Sequence, residues 1–420
     1  MVAVLCALTA QTFAAFPGWP FVDEACNVAC AFVVVFVVFW SSSKAHRGPS
    51  RFECYVLLLI LVYPIWIAFC TKQTFEQPMI LGLLAERRIV VSACVIVFLR
   101  ALRAGYFTLR EVERGLLTLV WILWAIYVGM RLFLDPSAYT DYHGFALEAD
   151  PYPAAFMLQP DWIMFGALYY SFRGIRTKQL RNYLFALALV AGITQQYGNR
   201  AQTAGLLVTM LLFAFMWAGL RRSLIFIPKL VAACGLVFGV LYLLQPAATL
   251  ERLGTFRDAY SVLTTGEPTD DPSANTHLAE LVYAFPQIAA RPFFGNGRLS
   301  RQWNGGELQV RGLLFYPDDN GVIGVIYEGG ILGLIFFGLQ YTFAVRSIQQ
   351  SKGIRPVPLL DAVKGFLFYA GVESLFYFRA PLTLFFIALL GHATRSTHIP
   401  EEMLPANSEP ACCSSALTPA

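Results

Sequence analysis

Runs such as "YVLLLILVYPIWIAFC" (Tyr55–Cys70) and "GVIGVIYEGGILGLIFFGL" (Gly321–Leu339) limit this chain's options more than any other feature. A helix needs about 20 apolar residues to cross the roughly 30 Å hydrocarbon layer of a bilayer. Such runs recur: 57% of the 420 residues are hydrophobic and only 14% are charged, where a soluble domain carries about a quarter charged residues. Lipid offers backbone groups no water, so the chain must fold as helices that satisfy their own hydrogen bonds. The pattern predicts an all-α integral membrane protein with about twelve spans. They lie near residues 1–16, 22–40, 52–70, 79–99, 115–134, 157–172, 182–197, 204–220, 224–245, 317–345, 359–378 and 380–393. The opening "MVAVLCALTAQTFAAF" lacks the basic flank of a signal peptide and reads as a retained span. In the fourth run, Glu86, Arg87 and Arg88 leave two choices: a loop with a span starting near Ile89, or a buried charge cluster.

Basic residues set the orientation. They gather in loops around Lys44–Arg51, Arg100–Arg114, Arg173–Arg181, Arg221–Arg222 and Arg346–Arg355. With twelve spans, all of these share one face, which the positive-inside bias makes cytoplasmic. The domain organisation is then nine spans over 1–245, a large periplasmic loop over 246–316, three spans over 317–397, and a disordered cytoplasmic tail over 398–420. The shorter outer segment, 135–156, is acidic. No internal repeat is visible, which weighs against a transporter built from inverted halves. The nine cysteines are scattered without a C-x-x-C pair, so no metal or redox cofactor is expected. Cys412 and Cys413 sit in the tail without a lipidation motif.

The outer face carries the polar chemistry. Arg200, in the short turn "QQYGNRAQTAG", runs against the charge bias: it is either a snorkelling interfacial arginine or an anion clamp. The large loop contains "PSANTHLAELVYAFPQIAARPFFGNGRLSRQW". Leu278, Leu281, Val282 and Phe285 fall on one helical face, with Ser273, Asn275 or Thr276 available as N-cap and Pro286 expected to kink or end the helix. "RPFFGNGR" then reads as a tight turn whose glycines admit a close backbone approach. Arg291, Arg298, Arg301 and Arg311 make this segment basic. Asp318, Asp319 and Asn320 stand at the outer end of the tenth span, where Asp319 either caps the helix or belongs to a site.

This arrangement resembles the O-antigen ligase and polymerase superfamily of bacterial inner-membrane glycosyltransferases. That family has about a dozen spans, a short outer loop with an arginine, and a late outer loop. The late loop runs R-x-x-x-W, an apolar helix, P-x-x-G-x-G, and then H-N ahead of E-x-G-x-x-G. "RPFFGNG" (Arg291–Gly297) matches the middle element and "EGGILG" (Glu328–Gly333) the last, while Arg200 matches the short-loop arginine. The match covers roughly residues 195–345. Two departures stand out: the family's loop arginine falls on His277 and its tryptophan on Leu281, and the ligase histidine falls on Asp319, with Asn320 keeping its place. Ligases depend on that histidine while polymerases vary there, so the resemblance implies a repeat-unit polymerase. A ligase is the second expectation, and a lipid-linked oligosaccharide flippase or exporter the third. A flippase would line its passage with charges inside the spans, and Lys364 and Glu373 are the main ones here.

The implied partners are an undecaprenyl-diphosphate-linked glycan donor, a lipid-linked acceptor and membrane lipid, with a chain-length regulator and flippase of the same pathway and no nucleic acid. The chemistry needs guanidinium groups for the departing diphosphate and a base for the attacking hydroxyl. Arg200 is the first candidate for the diphosphate, assisted by Arg291 or Arg298; Asn320 and Glu328 join the substrate-binding set. Asp319 is the first candidate base, with Asp318 or His277 as substitutes, since a neighbouring carboxylate raises an aspartate's pKa toward useful values. The family is metal-independent, and no cofactor is expected.

Overall fold

The computed structural model describes residues 50–139, 146–149, 152–156, 160–194, 204–212, 246–270, 272–300, 302–304, 317–351, 357–372 and 380–394, with isolated positions between them. The expected spans near 1–16, 22–40 and 224–245 lie outside the described residues apart from single positions. Helices α1 (Arg51–Leu61) and α2 (Tyr63–Phe75) make one apolar rod. It is interrupted at Val62, just ahead of Pro64, which has no N–H to donate. Glu76, in left-handed conformation at φ 58°, ends it. The expected span over 79–99 is not one helix. It is divided into α3 (Met79–Ala85), a 3-10 turn (Arg87–Ser92) and α4 (Ala93–Arg103), with the charged Glu86 at the division.

Helix α5 (Leu109–Phe133) begins six residues before the expected boundary. A capping box explains this: Thr108 Oγ1 accepts from Glu111 N at 3.2 Å, and the Glu111 carboxylate accepts from Thr108 N at 2.8 Å. The acidic segment then departs from the all-α expectation. Strands β1 (Ala146–Ala149) and β2 (Tyr152–Phe156) pair antiparallel, Ala146 opposite Phe156. The intervening Asp150-Pro151 is a turn signal that hydropathy does not register. Helices α6 (Asp161–Thr177) and α7 (Leu180–Thr194) form a hairpin, and residues 204–212 are helical.

The segment expected as a large loop contains α8 (Pro246–Thr265) and α9 (Pro272–Ala290). Pro272 opens α9, and Asn275 is not its cap: the Asn275 side chain bridges back to the backbone of Thr269. The helix does not end at Pro286 but runs through it. The proline ring lies on the exposed face, and the cost is the single bond to the Val282 carbonyl. A 3-10 turn (Pro317–Asn320) leads into α10 (Gly321–Gln350), followed by α11 (Pro358–Val372) and α12 (Ala380–Ala393).

Among the described residues, three helical stretches are long and apolar enough to cross a membrane: Arg51–Phe75, Leu109–Met130 and Gly321–Gln350. Helix α12 is buried on nearly every side and packs against α4, α10 and α11. Its Phe385 and Phe386 meet Phe98 of α4, Trp162 and Phe165 of α6, and Phe366 of α11. Small residues permit the approach: Gly365 of α11 faces the ring of Phe172, and Gly166 of α6 faces Val120.

Two groups of ion pairs lie at one end of this bundle. Glu53, 1% exposed and capped to Ser50, accepts from Arg100 Nε and Arg103 Nη1, each at 2.9 Å. Arg176 binds the buried Asp361 through Nε at 2.6 Å, and Lys364 Nζ donates to Ser351 O at 3.5 Å. Phe52 against Phe343 brings α1 and the last turns of α10 to this same end. The basic residues around Arg51, Arg100–Arg114, Arg173–Arg181 and Arg346 are therefore near these ion pairs. Glu53→Ala should destabilise the protein by about 2–3 kcal/mol, since it strands two half-buried guanidinium groups and a helix cap. Glu53→Gln, which keeps the capping-box shape, should cost less. Thermal unfolding in detergent measures both, and an unchanged midpoint for Glu53→Ala would remove the ion pairs from the fold's support.

Candidate functional site

Helix α10 is broken at Gly330, whose φ 61° and ψ −155° are far from helical. In an unbroken helix the Ile331 N–H would bond to Tyr327 O. Here it donates instead to Pro292 O at 2.9 Å. The freed carbonyls are taken up from outside the helix: Asn296 N donates to Tyr327 O at 2.7 Å, Gly297 N to Glu328 O at 2.8 Å, and Trp66 Nε1 to Gly329 O at 3.3 Å. The turn 292–297 is thus fastened to the break by main-chain bonds, in the manner that irregular backbone at membrane depth requires. A Cβ at Gly295 would stand 2.4 Å from Glu328 O, and one at Gly330 would stand 2.4 Å from Phe293 O. What the glycines of "RPFFGNG" approach so closely is the break itself.

Helix α2 clasps the other side of the turn. Thr71 Oγ1 accepts from Arg298 N at 2.8 Å, Cys70 Sγ donates to Phe294 O at 2.8 Å, and Gln77 Oε1 accepts from Ser300 N at 2.8 Å. Arg291 Nη1 donates to Thr74 Oγ1. Beside the break, the Arg298 guanidinium lies 3.7 Å from Glu86 and 3.8 Å from Glu328, two almost wholly buried carboxylates. Buried charge is tolerated when it is paired, which accounts for Glu86 interrupting an apolar run.

A second cluster stands at the start of α10. Asn320 is the cap residue, but its side chain makes no cap bond. Asn320 Nδ2 donates instead to Glu280 Oε2 at 3.0 Å, and His277 Nδ1 lies 3.2 Å from that same oxygen. Glu280 is buried and His277 is half exposed. The capping position expected for Asp319 therefore belongs to Asn320. Asp318 and Asp319 occupy the 3-10 turn before it, with side chains outside the described residues, as is Arg200.

The structure brings His277 together with Asn320, Arg298 with Glu328, and Arg291 with α2. The first two groups are about 12 Å apart along α10, eight residues at roughly 1.5 Å each. Among the described residues, no three metal-ligating side chains converge. Sequence reasoning did not single out Glu280, Thr71 or Trp66. Glu280 had a legible signal, one helical turn from His277; Thr71 and Trp66 had none, because their partners are more than 200 residues away. Comparison with protein-family models finds no match to this chain, and comparison with curated proteins finds none.

Gly330→Ala should prevent folded protein from accumulating or sharply lower its thermal midpoint. Strain at such a backbone position costs on the order of 1–3 kcal/mol, and the clash with Phe293 O adds to it. Gly338→Ala, in the same helix with open space around it, should be neutral or gain up to about 1 kcal/mol. Equal midpoints for the two variants would mean that α10 is unbroken.

Proposed function

We propose that the chain is a multi-pass glycosyltransferase of the bacterial inner membrane, with about twelve spans and residues 246–316 facing the periplasm. It transfers undecaprenyl-diphosphate-linked glycan onto lipid-linked repeat units. The observation that carries this reading is the docking of Pro292–Gly297 on the break at Gly330. The two sequence elements that resemble the O-antigen superfamily form one structural unit, with His277, Asn320, Arg291 and Arg298 held around it. The gathering of the basic loops at the opposite end supports the orientation.

In this reading the acceptor hydroxyl attacks the donor's anomeric carbon in a single displacement. The bond from that carbon to the diphosphate oxygen breaks, and the diphosphate leaves with the electron pair. Arg200 neutralises the departing charge. Arg298 is already shared by two carboxylates and Arg291 is bonded to Thr74, so both serve chiefly to hold the turn. The hydroxyl proton needs an acceptor poised near neutrality. A neutral His277 that directs Nδ1–H at Glu280 offers Nε2 as the accepting atom, and Glu280 then stabilises the imidazolium. Asp319, in the adjacent turn, is the other candidate acceptor.

Deleting the gene and sizing surface polysaccharide on a gel tests the reading. A polymerase predicts loss of the long ladder with single repeat units still made. Long lipid-linked chains that remain unattached would favour a ligase, and single units trapped inside would favour a flippase. In the complemented strain, His277→Gln should reduce polymer formation by about 10²–10⁴-fold, with protein levels intact. Glu280→Gln should fall between His277→Gln and wild type. If Asp319→Asn is the damaging change and His277→Gln is not, the base is the aspartate.

A further inference from the structure

The exposed face of α9 changes character along its length. At its start the exposed residues include Thr276 and His277; from Ala279 onward they are Ala279, Val282, Phe285, Pro286, Ala289 and Ala290, with no polar side chain among them. Val282 is 66% and Phe285 57% exposed, and the pair that follows, Phe293 and Phe294, is 63% and 57% exposed. In water this would be a contiguous apolar patch on the segment that hydropathy assigns to a soluble loop.

The patch has a definite depth, because α9 runs parallel to the first half of α10. Its Glu280 is level with Asn320, its Tyr283 with Tyr327, and Pro292 just beyond it with Ile331. The polar start of α9 therefore stands at the outer tip of α10, while the apolar end reaches the break. There the patch joins the outward surface of the spans. The Phe294 ring packs 5.4 Å from Trp66, which lies beside the exposed Ile65 and Phe69 of α2. On the other side, Ile331 and Ile335 of α10 are exposed. Ile331–Gln350 is a 20-residue half-helix, about 30 Å long, which matches the hydrocarbon thickness and sets the core boundary near the break.

From this continuity we infer that the last three turns of α9 and the Phe293–Phe294 pair are seated among the acyl chains at the bilayer boundary. They form an amphipathic descent rather than part of a soluble loop. The occupant of this surface is membrane lipid. The inference needs only the membrane-spanning character of α2 and α10, and stands whether or not the chain is a polymerase.

Footprinting of the intact wild-type protein in lipid nanodiscs tests it. A membrane-partitioning diazirine is photolysed in one sample, hydroxyl radicals are generated in the water of another, and the modified residues are mapped by mass spectrometry. Phe285, Phe293 and Phe294 should take the lipid-phase carbene to within about twofold of Ile65 and Ile335, while Tyr106, exposed in the turn between α4 and α5, takes only the radical. Radical labelling without carbene labelling would overturn the inference in favour of a soluble loop. Protection from both reagents would overturn it in favour of a surface covered by protein.

Discussion

Unwinding a helix among apolar neighbours frees hydrogen-bonding groups that have no water to turn to. At Gly330 those groups are the Ile331 N–H and the carbonyls of Tyr327, Glu328 and Gly329, and their partners come from a turn and a tryptophan distant in sequence. Much of the candidate site follows from this exchange. It fixes the turn 292–297, and through Thr71 and Gln77 it fixes the turn against α2. It also sets how far α9 descends, and so where His277 stands relative to the start of α10. The arginines nearest the break are consumed in keeping this joint closed.

The two ends of the bundle use charge differently. At the basic end, carboxylates such as Glu53 and Asp361 are paired with arginines from neighbouring helices. They act as struts between elements that hydrophobic packing alone would let slide. At the other end, Glu280 accepts from a neutral amide and lies beside an imidazole.

The apolar rods α1–α2, α5 and α10 were legible in the sequence because run length is a direct physical requirement of lipid. In the fourth run the charges at Glu86–Arg88 marked a division but not its cause, since that is Glu86 reaching Arg298, a contact across the fold. The hairpin at Ala146–Phe156 escaped because its two strands are short and lack strand alternation. In the candidate site, "RPFFGNG" announced a close approach but not its target. Glycine pairs inside apolar helices are commonly accommodated without a break, so "EGG" did not declare one. Asp319 drew attention as a charge next to a helix, yet the cap position fell to Asn320, because a 3-10 turn precedes α10.

The helix break also bears on how the chain can be assembled. Every donor that satisfies the broken carbonyls lies earlier in the sequence than the break: Trp66 on α2, and Asn296 and Gly297 in the turn. By the time Glu328–Ile331 emerges from synthesis, its partners have already been made. The segment with the costliest exposed backbone is thus among the last to enter, and it enters onto a surface that is waiting for it. The order of the chain spares the bilayer an unsatisfied intermediate.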